Sequence, residues 1–207
     1  MYAKIVNGVV THYPYTYANA CIDWPNTSLP TDLSVVNLTA FNIYRITLTE
    51  RPTFNPITQL VIEINPSEVA GVWTQQWSVT ELTSEEAAAN LAEAKLARWE
   101  AIKAERDLRK EGGTLVSGKW FHSDRDSRIQ QLGLVLMGAS TPTVQWKTMD
   151  GTFITMSQTL AGGIFQSTAT LDMALFANAE AHRAAMEASA RPDQYDFSTG
   201  WPEHFAI

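Results

Sequence analysis

The one cluster of side chains that tempts a catalytic reading is a short run, His122-Ser123-Asp124-Arg125-Asp126-Ser127-Arg128. A histidine, two serines and two aspartates this close together could form an acid–base pair or begin a metal site. The same run also fits the start of a helix. Ser123 or Asp124 would cap free backbone N–H groups, Asp126 would sit near the positive end of the helix dipole, and the arginines would pair with acids. A metal site would need more ligands from elsewhere, and His12, His182 and His204 are scattered along the chain. A hydrolase triad has no Gly-x-Ser-x-Gly elbow to present its serine. The stretch Thr159-Leu160-Ala161-Gly162-Gly163 lacks the Lys-Ser/Thr that completes a phosphate loop.

Two further chemistries fail on the same grounds. Cys21 lies in Ala-Asn-Ala-Cys-Ile-Asp-Trp-Pro, read as an extended or turn-like stretch with no basic neighbour to activate a thiolate. It is expected to be a structural thiol, buried or half-buried. Glycan hydrolases set two carboxylates across a cleft, whereas the acids here gather on helices and caps. A glycan-directed hydrolase is therefore the remote alternative. The expectation is no enzyme, with no catalytic residue, no metal and no cofactor.

Around that run the chain alternates small β elements with long helices. Asn7-Gly8 between Ala3–Val6 and Val9–Tyr13 predicts a tight opening hairpin. Pro14, Pro25 and Pro30 with Tyr13, Tyr15, Tyr17 and Trp24 predict an aromatic loop to about Asp32. Strands are expected at Phe41–Leu48, Leu60–Ile64 and Val72–Val79. From Thr83 or Ser84, either able to cap, the sequence runs to about Lys110 without Gly or Pro. This predicts a helix on the order of 35–40 Å long. Glu100 with Lys103 and Glu105 with Arg109 can meet on its surface. Ala88, Ala92, Leu96, Trp99 and Ile102 form one narrow apolar stripe, the expected oligomer interface of a bundle made of copies of the chain.

Gly112-Gly113 marks a flexible break and the expected domain boundary. Beyond it come a short hairpin at Val116–His122 and a helix to Met137 with Ile129, Leu132, Val135 and Leu136 as its apolar positions. A second hairpin follows, centred on Asp150-Gly151. A helix from Ser157 to about Ala190 presents Leu160, Ile164, Leu171, Leu175, Ala179, His182 and Met186 as a buried face. The tail Tyr195–Pro202 is aromatic and irregular. The fold class is α+β, with an N-terminal antiparallel β domain (1–82), a long linking helix (83–111) and a helix-rich C-terminal domain with short hairpins (112–207).

Composition narrows the partners. Of 207 residues 45% are hydrophobic and 18% charged, which is the balance of a folded chain and not a disordered one. The net charge of −7 argues against nucleic acid, whose phosphates call for a basic surface. No apolar run approaches the roughly 18 residues that span a bilayer. The N-terminus has no signal-peptide pattern, and the single cysteine suits a reducing cytoplasm. Seven tryptophans fit a chain rich in interface.

Several segments resemble phage proteins. Gly112-Gly113, Lys119-Trp120-Phe121-His122-Ser123-Asp124 with Ser127-Arg128, Gln145–Gly151, and His182 with Tyr195–Pro202 are similar to an uncharacterised C-terminal domain common in phage tail genes. The similarity covers about Arg109 to Pro202. Tyr2–Val10 resembles the opening of tail fibre assembly or tail-attached proteins, and Trp73–Thr83 the segment leading into their long helix. The resemblance implies a bacteriophage tail protein made in the bacterial host cytoplasm. It would be a short fibre or baseplate-to-fibre connector in the virion, assembled as a homotrimer with other tail or fibre proteins and meeting the host surface at most indirectly. The alternative it carries is a tail fibre assembly chaperone.

Overall fold

A computed structural model describes residues 1–35, 38–138 and 143–205, with the side chain of Val35 left out. The chain is α+β and divides into two compact units, Met1–Asn90 and Leu91–Ile207.

In the first unit, β1 (Tyr2–Val6) and β2 (Val9–Tyr15) form the expected hairpin. Asn7 and Gly8 have φ of 51° and 77°, the left-handed pair that matches strand twist in a two-residue turn. β3 (Ile43–Arg45) adds to the free edge of β1. It is far shorter than the expected strand, because a 3₁₀ turn at Thr39–Phe41 and a left-handed Asn42 precede it.

The expected aromatic loop contains a helix, α1 (Tyr17–Asp23). Thr16 and Asn19 exchange hydrogen bonds in a capping box, so the helix starts three residues after Pro14. Ala20 faces inward against Tyr15, Leu33, Leu38 and Ile43. Cys21 therefore lies on a helix and is exposed, opposite to the buried or half-buried thiol expected from its neighbours. The last two strands, β4 (Gln59–Val69) and β5 (Val72–Glu81), make a long antiparallel ribbon closed by Ala70-Gly71.

α2 (Ser84–Lys110) runs from the first unit into the second. Thr83 and Glu86 form its capping box, with Thr83 N–H and Oγ1 both donating to the Glu86 carboxylate. The second unit begins at Leu91 and not at Gly112, because the later turns of α2 pack into it.

Next come the hairpin β6 (Thr114–Val116) and β7 (Lys119–Phe121), then α3 (Arg125–Met137). A second hairpin pairs β8 (Val144–Lys147) with β9 (Phe153–Met156), and α4 (Gln158–Ala188) follows, capped by Ser157. α4 buries Ala161, Ile164, Leu175, Ala179 and Met186. One end of that stripe meets Phe121, Leu134 and Met156, and the other meets Ile102.

Gly112-Gly113 is a pinned turn and not a flexible break. Gly112 N–H donates to Arg109 O, Gly113 N–H to Ser123 Oγ at 2.9 Å, and Phe205 N–H to Gly112 O. Gly113 has φ of +91°, and a Cβ there would meet Met149 Sδ at 2.3 Å. Gly113→Ala is expected to lower stability by about 1–3 kcal/mol, because a left-handed alanine in a crowded turn is strained. A shift of the urea midpoint at unchanged m-value would measure it.

Candidate functional site

The run His122–Arg128 links three elements. Asp124 caps α3, accepting from Ser127 N–H at 3.0 Å and Ser127 Oγ–H at 2.6 Å. Ser123 is buried and lies outside that cap. Its hydroxyl donates to Lys110 O at 2.6 Å and accepts from Gly113 N–H, so it ties the end of α2 to the next turn.

Arg128 is the hub. Its guanidinium forks onto Asp172 of α4 at 2.5 and 3.0 Å, donates to Lys110 O at 2.8 Å, and donates to Ser123 O. Planar guanidinium geometry is what allows one side chain to satisfy a carboxylate and two carbonyls at once. Gln131, fully buried on α3, donates to His122 O at 2.9 Å. Asp126 is exposed. Among the described residues no three His, Cys, Asp or Glu side chains converge as metal ligands would.

Ser127 hydrogen bonds, side chain first and then backbone, hold the Asp124 carboxyl below the ordinary 3.8. A lowered folded value adds stability above the unfolded value, and that stability is lost as pH falls through 3.8 and then the lower folded value. Asp124→Ala is expected to cost about 1 kcal/mol at neutral pH. Asp124→Asn, which still caps, should keep most of that and lose less on acidification. Urea titrations of both variants at pH about 7 and about 3 separate the two effects.

The seam between α2, α4 and the tail is built differently. Ile102 is 0% exposed, packed with Ala179 and Met186 and flanked by Trp99, Tyr195, Phe197 and Trp201. Around it, basic residues of α2 lie over aromatic rings: Arg98 over Phe197 at 5.5 Å, Arg109 over Trp201 at 5.5 Å, and Arg106 over Phe176 at 4.4 Å. Cation–π contacts of this kind let a helix rich in charge bury a face with few apolar residues. Arg98 also donates to the carbonyls of Pro192 and Asp193. His182 Nε2 lies 3.0 Å from Thr199 O, which only accepts, so Nε2 carries a proton and in the neutral ring Nδ1 accepts from Tyr195 Oη–H. The tail that reads as irregular is thus strapped to α4 and α2.

This seam divides the five stripe residues. Ile102 is consumed inside the chain and Trp99 is half-buried beside it, so neither is free for a bundle of α2 helices in the way their spacing suggests. Ala88, Ala92 and Leu96 stay exposed. At about 100° per residue Leu96 and Ile102 stand about 120° apart around α2, so the two cannot share one buried face.

Apolar side chains left open lie on other elements. On β4, Leu60, Ile62 and Ile64 point to one face of the ribbon, opposite Thr80, Ser78 and Gln76 of β5. The reverse face is partly covered, with Val61 buried and Val79 44% exposed. Arg51 stacks on Phe54 and Trp77 and donates to Val61 O, and Trp77 Nε1–H donates to Thr49 Oγ1. On α3, Ile129, Leu132 and Leu136 are exposed, while Gln131 and Leu134 turn inward. The spacing of these α3 residues identifies a stripe without saying which way it faces. A groove of about 650 Å³ lies between β6 and α4, lined by Leu115, Trp120, Gln166, Ser167 and Leu171. Its Ser167 hydroxyl is taken up by Thr114 Oγ1 and Leu115 O.

Among the described residues, the second unit is a small α+β domain of α3, α4 and two hairpins, closed by the later turns of α2 and an aromatic tail. The chain belongs to the family described as a domain of unknown function, DUF4376, whose model matches residues 93–199. That span starts inside α2, close to where the compact unit starts. No curated protein and no solved structure matches the chain. Among the described residues no helix is long and apolar enough to cross a membrane.

Proposed function

We propose that this chain is a structural component of a bacteriophage tail, a short fibre or a baseplate-to-fibre connector, acting by protein–protein assembly. Its partners are copies of itself, as a trimer, and neighbouring tail or fibre proteins. The observation that carries the reading is the apolar surface left open in each unit, Leu60, Ile62 and Ile64 on the ribbon and Ile129, Leu132 and Leu136 on α3. Open apolar faces of this kind mark contact surfaces, since they lower stability and solubility unless something covers them. The phage-like segments Lys119–Asp124, Gln145–Gly151 and Tyr195–Pro202 supply the context. The ribbon face takes the neighbouring tail protein, because it sets Leu60, Ile62 and Ile64 beside a hydroxyl and amide border of Thr80, Ser78 and Gln76.

Mass spectrometry of purified particles of the encoding phage tests the reading. Stoichiometric presence supports it. Absence from particles, with the chain found only on unassembled fibres, moves the assignment to a fibre assembly chaperone. Ile62→Lys is expected to change stability by no more than about 0.5 kcal/mol, as an exposed residue should, and yet to reduce incorporation into particles at least several-fold. Equal incorporation of the variant and the natural chain would remove the ribbon face from the account.

A further inference from the structure

The groove beside the β6–β7 hairpin combines an apolar wall with polar groups that have nothing to bond. Leu115 and Trp120 lie directly opposite each other in the hairpin, so their side chains leave it on the same face. Trp120 is held in place twice: its carbonyl accepts from Met149 N–H at 2.9 Å, and its ring tilts against Phe205 at 6.2 Å. Leu171 of α4 and Pro202 of the tail extend the apolar wall. Around it stand Gln166 and Thr170, one helical turn apart on α4, and Glu203 of the tail. Among the described residues the Trp120 indole N–H, the Gln166 side-chain amide and the Glu203 carboxylate have no hydrogen-bond partner. The hydroxyls are spent as donors. Ser167 donates to Leu115 O, Thr114 to Ser167 Oγ, and Thr170 to Gln166 O, which leaves each of them lone pairs alone.

This inventory selects a ligand. Trp120 and Gln166 offer N–H donors, while Gln166, Glu203 and the hydroxyls offer acceptors. An ammonium or guanidinium only donates, so it would leave the indole and amide N–H groups unused. A phosphate or carboxylate only accepts, and it would meet Glu203 with no Lys or Arg in the described lining to offset the repulsion. A hydroxyl both donates and accepts, so a ligand carrying several hydroxyls uses every group. A saccharide ring adds an apolar C–H face, which suits the flat indole of Trp120. The groove's volume of about 650 Å³ falls in the range of small-molecule sites, about 300–1,000 Å³. We infer that this groove binds a neutral saccharide ring, stacked on Trp120 and hydrogen-bonded to Gln166 and Glu203. The inference is one of binding, and it does not rest on the assembly reading above.

NMR titration of the isotope-labelled full chain, followed at the indole N–H of Trp120, tests this. Among seven tryptophans, that resonance is the one lost in Trp120→Phe. The probes are the methyl glycosides of glucose, galactose, mannose and N-acetylglucosamine, with their matching trisaccharides. At least one glycoside is expected to shift the resonance saturably. Gln166→Ala and Glu203→Ala change exposed side chains, so the circular dichroism spectrum should stay the same. Each is expected to weaken binding roughly 2- to 10-fold, the worth of one hydrogen bond. Gln130→Ala, exposed on α3 outside the groove, should bind as the natural chain does. A trisaccharide that binds more tightly than its glycoside identifies a glycan chain as the source, and equal affinity a single ring. No saturable shift with any of these sugars would overturn the inference. So would an equal shift with glycerol, which has hydroxyls but no ring face, or with tetramethylammonium. Full affinity in both groove variants, or an equal loss in Gln130→Ala, would overturn it as well.

Discussion

Ile102→Asp is expected to unfold the C-terminal unit, at a cost of about 5 kcal/mol or more, while Leu96→Asp on the same helix leaves it folded. Both residues are apolar members of one sequence stripe, so spacing alone gives them the same role. Ile102 is 0% exposed among Ala179, Met186, Trp99 and Trp201, whereas Leu96 is 61% exposed. Removing a buried isoleucine side chain costs about 2–5 kcal/mol, and a carboxyl in its place adds the desolvation of a polar group with no partner. The sum is comparable to the whole stability of a small domain, about 5–15 kcal/mol. Circular dichroism and urea titration of the two variants, at two protein concentrations, check it. If Ile102 served only an interface between copies, its variant would remain folded as a monomer.

Arg128→Ala is expected to cost roughly 2–4 kcal/mol. The substitution leaves Asp172 without its cation and strips the carbonyls of Lys110 and Ser123 of a charged donor. The figure is set below that for a fully buried pair, because both side chains are about a quarter exposed and water recovers part of the loss. Arg128→Lys should recover little, since an ammonium cannot fork onto the carboxylate and still reach two carbonyls. A double-mutant cycle with Asp172→Ala is expected to show a coupling of about 1–3 kcal/mol between the two positions. Strict additivity would mean that the bridge contributes nothing and that the two carbonyls carry the whole effect.

These two sites show where sequence reading reaches its limit. The run His122–Arg128 is legible as a helix start, because a cap involves residues three apart; Asp124 and Ser127 do what their spacing allows. That Ser123 instead joins Lys110 and Gly113, and that Arg128 gathers Asp172, Lys110 and Ser123, depends on groups up to 44 positions away. α1 was hidden behind Pro14, Pro25 and the tyrosines, although Thr16-x-x-Asn19 is a readable capping signal. The cation–π seam was hidden because Arg98, Arg106 and Arg109 read as a solvated face until Phe197, Phe176 and Trp201 come over them.

The sequence by itself determined the local events: the Asn7-Gly8 hairpin, the α2 span set by its capping box and its lack of Gly and Pro, and the buried line of α4 from Ile164 to Met186. Each depends on backbone and side-chain terms within a few residues, or on a stripe long enough to have one solution. Only the tertiary structure decided which apolar stripes are covered. Ile102 went inside and Ile129, Leu132 and Leu136 stayed out, because burial is a property of what arrives from elsewhere in the chain, and periodicity records a face without recording its neighbour.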